Sequence, residues 1–68
     1  MSAERPVVAV LGGGQLGWML GLAGLPLGVR CRFLDPVAGA PASAVGALVV
    51  GGLGDEHALA EVTEGADL

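Results

Sequence analysis

The stretch "VVAVLGGGQLGWML", residues Val7 to Leu20, constrains the fold more than any other part of this 68-residue chain. An unbroken apolar run, Val7-Val8-Ala9-Val10-Leu11, meets three consecutive glycines, and no helix begun at Val7 survives Gly12-Gly13-Gly14. The run therefore reads as a strand, apolar on both faces, of the kind found in parallel sheets covered on both sides. Beyond the glycines the spacing becomes helical from Gln15 to about Leu25, with Leu16, Met19, Leu20, Ala23 and Leu27 on one apolar stripe. Gly21 and Gly24 weaken this helix, so packing must hold it, and small residues let a helix approach a sheet closely. Pro26 removes a backbone donor near the last turn, and Gly28 is placed to be the left-handed residue that closes it.

Next, Val29-Arg30-Cys31-Arg32-Phe33-Leu34 puts both arginines on one side and Cys31 with Phe33 on the other, which predicts a strand with one partly wet face. The segment "DPVAGAPASAVGA" reads as a connection, because its prolines oppose a helix of any length. Ala47-Leu48-Val49-Val50 is a short third strand ended by Gly51-Gly52. Asp55 is the N-cap of a helix through about Glu64, with Leu59 and Val62 inward and Gly65 at its end. Ala66-Asp67-Leu68 opens like a further strand. The order β-α-β-(loop)-β-α-(β) predicts an α/β chain, a Rossmann-like fragment of a parallel sheet with right-handed connections. A first strand beside the fourth-strand position is left with an unpaired edge.

A chain this short buries only roughly 60% of the surface its unfolded form exposes. Cys31 is the only cysteine and His57 the only histidine, so neither a disulfide nor a histidine-rich metal site strengthens the fold. Self-association through the open edge, giving a homo-oligomer, is the expected remedy. An unpaired thiol inside a strand fits a reducing, cytoplasmic location. Three arginines against seven acids give a net charge of −4, and the chain has no lysine, so nucleic acid is not expected as a partner. Residues 7–29 carry no charge, which raises the question of a membrane helix or signal peptide. The glycine cluster, Gln15 and Pro26 break any such segment, and Arg5 is offset by Glu4.

Gly12-Gly13-Gly14-Gln15-Leu16-Gly17 satisfies G-x-G-x-x-G between a strand and a helix, the context in which backbone N–H groups and the helix dipole receive an anion. Asp35 stands about 20 residues further on, where an NAD enzyme places its ribose-binding acid. Pro36 directly after it leaves Asp35 an ordinary role in a turn, and a glycine turn also serves plain strand-to-helix packing. No lysine follows the loop, which excludes a Walker A site. Ser2 and Ser43 lie in no nucleophile elbow, and Asp55-Glu56-His57 reads as a capped, solvated first helical turn. Trp18 reads as a packing residue or one that a missing partner would cover.

The wording of the motif adds more than its glycine spacing. "LGGGQLGWMLGLAGLPLGVRCRFLDP", then "APASAVGALVVGG" and an Asp-led helix ending in "EGADL", resembles the N-terminal part of the 5-(carboxyamino)imidazole ribonucleotide synthetases, ATPase subunits of phosphoribosylaminoimidazole carboxylase. These are ATP-grasp carboxylate-amine ligases of purine biosynthesis. The resemblance runs from Val8 to Leu68 and implies that residues 1–68 are a partial pre-ATP-grasp domain, with the ATP-grasp and C-terminal domains absent and no catalysis by this chain alone. It implies a reaction in which ATP and bicarbonate give carboxyphosphate, whose carboxyl group passes to the exocyclic amine of aminoimidazole ribonucleotide, with Mg²⁺ neutralising the phosphates. ATP and Mg²⁺ would be held by the missing domains. Gly13, Gly14, Gln15 and Leu16 would line the ribonucleotide side of the cleft, and the loop would not bind NAD. The family commonly has Arg where this chain has Trp18, and an acidic, aromatic stretch where it has Gly52-Leu53-Gly54. A dinucleotide-binding half-domain and a non-catalytic, self-associating module are the alternative readings of the residues.

Overall fold

The apolar pentad forms strand β1 (Val7–Leu11), followed by helix α1 (Gln15–Gly24), strand β2 (Arg30–Asp35), strand β3 (Ala47–Val50) and helix α2 (Glu56–Thr63). This computed structural model describes residues 5–68, so Ser2 and Glu4 lie outside it. The three strands are parallel in the order β1-β2-β3, with Val10 opposite Phe33 and Phe33 opposite Leu48. Between β2 and β3 the proline-rich connection makes only a 3₁₀ turn, Pro41–Ala44, as its prolines require. A second 3₁₀ turn, Leu25–Leu27, prolongs α1 and ends at Gly28, whose φ of 74° is the left-handed value that glycine adopts without strain.

Alternation along β2 divides the core in two. Cys31 and Phe33 point to one face and gather Ala42, Val8, Val10, Trp18, Val45 and Leu48. Leu34 points to the other and meets Val49, Ala58 and Val62, with Ala9 and Leu59 half-buried beside them. Phe33 and Val62 are fully enclosed, and burial of each such side chain contributes roughly 1.5–3 kcal/mol. Arg32 shares the second face with Leu34. Its guanidinium Nη1 donates to the carbonyls of Glu61, Val62 and Glu64 at 3.2, 3.1 and 2.7 Å. The partly wet side of β2 thus caps the C-terminus of α2, where unpaired carbonyls favour a cation. At the other end of α2, Asp55 Oδ1 accepts from the Ala58 N–H at 3.0 Å, the expected N-cap.

Helix α1 turns a different side to the sheet than its apolar stripe implies. Gly17, Gly21 and Gly24 are its buried residues, whereas Leu16, Met19, Leu20, Ala23 and Leu27 are exposed. The reason is clearance. A Cβ at position 17 would lie 2.9 Å from the Gly12 carbonyl oxygen, and one at position 21 would lie 2.5 Å from Val45 Cγ2. Only the glycine side of α1 permits this approach, in which Phe33 is covered by helix backbone. The small-residue reading of Gly21 and Gly24 holds, and the expectation that leucine spacing marks the contact face does not.

The outer edge of β1 also differs from expectation. Asp67 N–H donates to the Val7 carbonyl, and Ala9 N–H donates to the Leu68 carbonyl, both at 2.8 Å. Asp67 Oδ2 accepts from the Val7 N–H at 2.9 Å. Residues 66–68 therefore run beside β1 in the parallel sense, and the edge expected to be open is occupied along Val7–Ala9.

Candidate functional site

Connections on the two faces of the sheet place the glycine loop at a special point. Helix α1 and the Pro41–Ala44 turn share a core with Phe33, while α2 crosses the opposite face to bring residues 66–68 to the far side of β1. The direction of winding reverses at β1, and in open parallel sheets the crevice above the strand ends at such a reversal is where ligands bind. Gly12 to Leu16 lie directly above that point.

Each residue of the loop is held differently. Gly12 has φ of 129°, accessible in practice only to glycine, and its N–H donates to the Leu34 carbonyl at 2.7 Å, so the chain leaves the sheet sharply. Gly13 is fastened on both sides: its N–H donates to Asp35 Oδ2 at 3.0 Å, and its carbonyl accepts from the Ala42 N–H at 2.9 Å. A Cβ there would stand 3.1 Å from the Cβ of Asp35 and 3.3 Å from that of Ala40. Gly14 is the N-cap of α1 and opens to solvent, with nothing within 4 Å of a Cβ position. Gln15 and Leu16 form the exposed first turn. No side chain caps this helix and no acid sits in its first turn, so its leading N–H groups and the positive end of its dipole face the opening unneutralised. The arrangement suits an anion.

Asp35 is where the sequence places it, at the end of β2, but its carboxylate is turned into the loop. Oδ1 accepts from the Val37 N–H at 2.9 Å, closing an Asx turn, while Oδ2 holds Gly13. The Val37 N–H, and next the Gly13 N–H, hold its pKa below the ordinary value of 3.8, against a smaller opposing effect of burial. A carboxylate engaged through both oxygens with backbone donors is poorly placed to receive ribose hydroxyls, which counts against the dinucleotide reading.

Beside the loop, Leu11, Leu34, Pro36, Gly51 and Leu53 join Gly12 and Asp35 around a shallow hollow of about 190 Å³. A hollow of about 220 Å³ opens at the other end of the strands, where Cys31, Arg30 and Arg32 contribute to its lining together with Val45. Ala40 and Ala42, which brace Gly13, were not legible as loop supports, because small apolar residues in a proline-rich connection carry no motif. Trp18 packs half-buried on the Phe33 core. Among the described residues no three His, Cys, Asp or Glu side chains come together as metal ligands, and Asp55 serves as a cap beside exposed Glu56 and His57. Nor is any described helix long and apolar enough to cross a membrane.

Known proteins resemble this chain in sequence and fold. The N5-carboxyaminoimidazole ribonucleotide synthase of Pseudomonas aeruginosa is 44% identical over 61 residues, which is 90% of this chain and 17% of that protein. The crystal structure of N5-carboxyaminoimidazole ribonucleotide synthetase from Thermus thermophilus is 57% identical over 88% of this chain and 16% of its own, with a TM-score of 0.83. An ADP complex of another such synthetase is 31% identical with a TM-score of 0.84, over 94% of this chain and 18% of its own. The chain thus spans about a sixth of the length of the relatives it matches. The family model of the ribonucleotide synthetase preATP-grasp domain matches residues 6–68, and the chain belongs to that family.

Proposed function

We propose that this chain supplies the N-terminal wall of the substrate cleft in an ATP-dependent ligase that carboxylates aminoimidazole ribonucleotide in purine biosynthesis. The observation that carries the proposal is an uncapped, acid-free N-terminus of α1 above the winding reversal, in a chain 57% identical to a synthetase of that name. Gly13 spends its N–H on Asp35, so the donors left for a ribonucleotide phosphate are those of Gly14, Gln15 and Leu16. The Gln15 side-chain amide adds a donor and an acceptor at the rim of the loop. The role of the loop is to bind and orient the acceptor substrate, and a rigid loop does so with little ordering cost.

ATP and Mg²⁺ supply phosphoryl transfer in the ligase reaction. Their fit to the residues present is poor, because the chain has no lysine and Trp18 follows the loop where a Walker site carries one. The chain by itself is a binding element without ligase activity, and the buried free thiol of Cys31 supports a reducing, cytoplasmic location.

An NMR titration of the ¹⁵N-labelled chain tests this reading. Aminoimidazole ribonucleotide, and more weakly ribose 5-phosphate, are expected to shift the amides of Gly14, Gln15 and Leu16 ahead of all others. Tight binding of NAD⁺ at the same amides without response to the ribonucleotide would refute the ligase assignment.

A further inference from the structure

A closed circuit of hydrogen bonds surrounds the glycine loop, and Asp35 is the one side chain in it. Asp35 Oδ2 accepts from the Gly13 N–H at 3.0 Å, and the Gly13 carbonyl accepts from the Ala42 N–H at 2.9 Å. Back along the chain, the Ala40 N–H donates to the Val37 carbonyl at 3.1 Å, and the Val37 N–H returns to Asp35 Oδ1 at 2.9 Å. The Asp35 carbonyl accepts from the Gly51 N–H at 3.0 Å, which ties the circuit to the end of the sheet. Gly13, Ala40 and Ala42 are buried within it. The fit is close: a Cβ at position 13 would stand 3.1 Å from Asp35 Cβ, 3.3 Å from Ala40 Cβ and 3.4 Å from Leu48 Cδ1.

The circuit sets the direction of the next amide. The Gly13 carbonyl and the Gly14 N–H belong to one planar, trans peptide unit and point in opposite directions, so a carbonyl pinned on Ala42 turns the Gly14 N–H away from the connection and toward the opening. The Gly13 N–H, spent on the carboxylate, is withdrawn from the donors that a ligand can reach.

We propose that Asp35 is a positioning residue for ligand binding: by holding Gly13 it aims the Gly14 N–H, and the Gln15 and Leu16 N–H groups that follow, at the phosphate of the ribonucleotide. The inference rests on the binding role proposed for the loop above. Asp35 does not touch the ligand, and its charge works against its geometry. A carboxylate beside an anion site repels an anionic ligand, so a residue present only as a nearby charge weakens binding, and neutralising it tightens binding. A residue that positions the loop gives the opposite sign, because a loosened loop must be ordered again each time the ligand binds. Asparagine and alanine separate the two effects further. Both are neutral, but the asparagine carbonyl oxygen can still accept from one of the two N–H groups, whereas alanine accepts from neither.

The test is NMR titration with aminoimidazole ribonucleotide at neutral pH, fitted on the native resonances of the parent chain, Asp35→Asn, Asp35→Ala and Gly13→Ala. Asp35→Ala should raise Kd about 10-fold, the cost of ordering roughly one loop residue, and Asp35→Asn should fall between it and the parent. Gly13→Ala keeps the carboxylate and its charge but crowds their partner, and should also weaken binding. In Asp35→Ala the Gly13 amide, silent when the parent is titrated, should join the amides that shift. A change that only destabilises the fold alters neither a Kd fitted on native resonances nor the identity of the shifting amides. One measurement needs no variant to fold: the doubly labelled parent should show a coupling across the hydrogen bond between the Gly13 ¹⁵N and the Asp35 carboxyl carbon, retained when the ribonucleotide is bound. Loss of that coupling on binding, or neutral variants that bind as tightly as the parent or more tightly, would overturn the positioning role alone. A parent that binds no ribonucleotide would overturn the binding role of the loop and this inference with it.

Discussion

Replacing Gly17 by alanine tests whether clearance, not apolar spacing, orients α1. In an unconstrained helix Gly→Ala stabilises by about 1 kcal/mol, because glycine loses more backbone entropy on folding. At Gly17 the added Cβ would meet the Gly12 carbonyl oxygen at 2.9 Å and two Phe33 ring carbons at 3.3 Å. The first neighbour is backbone held by the Gly12–Leu34 hydrogen bond, and the second is the most enclosed large side chain of the core, so neither gives way cheaply. Overpacking of this kind costs roughly 1–3 kcal/mol, leaving a net loss of up to about 2 kcal/mol after the propensity gain. Gly24 is the internal control. It lies on the same buried side, yet a Cβ there comes no nearer than 3.2 Å to the Val29 carbonyl oxygen, and its φ of −77° is ordinary helix. Gly24→Ala should therefore cost less than Gly17→Ala. Urea unfolding followed by circular dichroism and by the fluorescence of Trp18, which packs on the same core, measures both. For a domain of this size the loss at Gly17 corresponds to a fall in Tm of up to about 16 °C. Gly17→Ala at least as stable as the parent, or equal losses at both positions, would show that the close approach does not orient the helix.

Two further outcomes follow from the hydrogen bonds. Arg32→Met keeps most of the side-chain stem but removes the donor to three carbonyls at the end of α2, and should cost about 1–2 kcal/mol in the same urea assay, with amide exchange accelerated first at Thr63 and Glu64. For Asp35, whose pKa is lowered on folding by the Val37 and Gly13 N–H groups, the charged carboxylate contributes stability above 3.8 that disappears as pH falls through the lower folded value. Asp35→Asn should accordingly be less stable than the parent near neutrality, and the two should converge in acid; a constant gap down to the lowest pH would contradict the linkage.

Much of the local structure was legible, and for reasons specific to particular residues. Three glycines after an apolar pentad leave a strand and a turn as the only option, and the turn needs Gly12 at φ of 129°. The left-handed stop at Gly28 and the carboxylate start of α2 at Asp55 are caps whose chemistry acts within a few residues. Alternation along Arg30–Asp35 separated the Phe33 face from the Arg32 face because side chains of a strand point alternately whatever surrounds them. The candidate loop was legible for the same reason, being a contiguous run at a strand-to-helix junction.

By itself, then, the sequence determined the order of elements, their ends and the two faces of β2. Only the tertiary structure decided which side of α1 meets the sheet, because a helix apolar all round has no informative periodicity and the outcome rests on ångström-scale clearance at Gly17 and Gly21. It alone decided that Asp35 secures Gly13 instead of facing a ligand, that Arg32 ends α2, and that Asp67 and Leu68 occupy the edge of β1. These are contacts between residues 22 to 60 positions apart, and no local pattern encodes which donor will meet which acceptor across such a span.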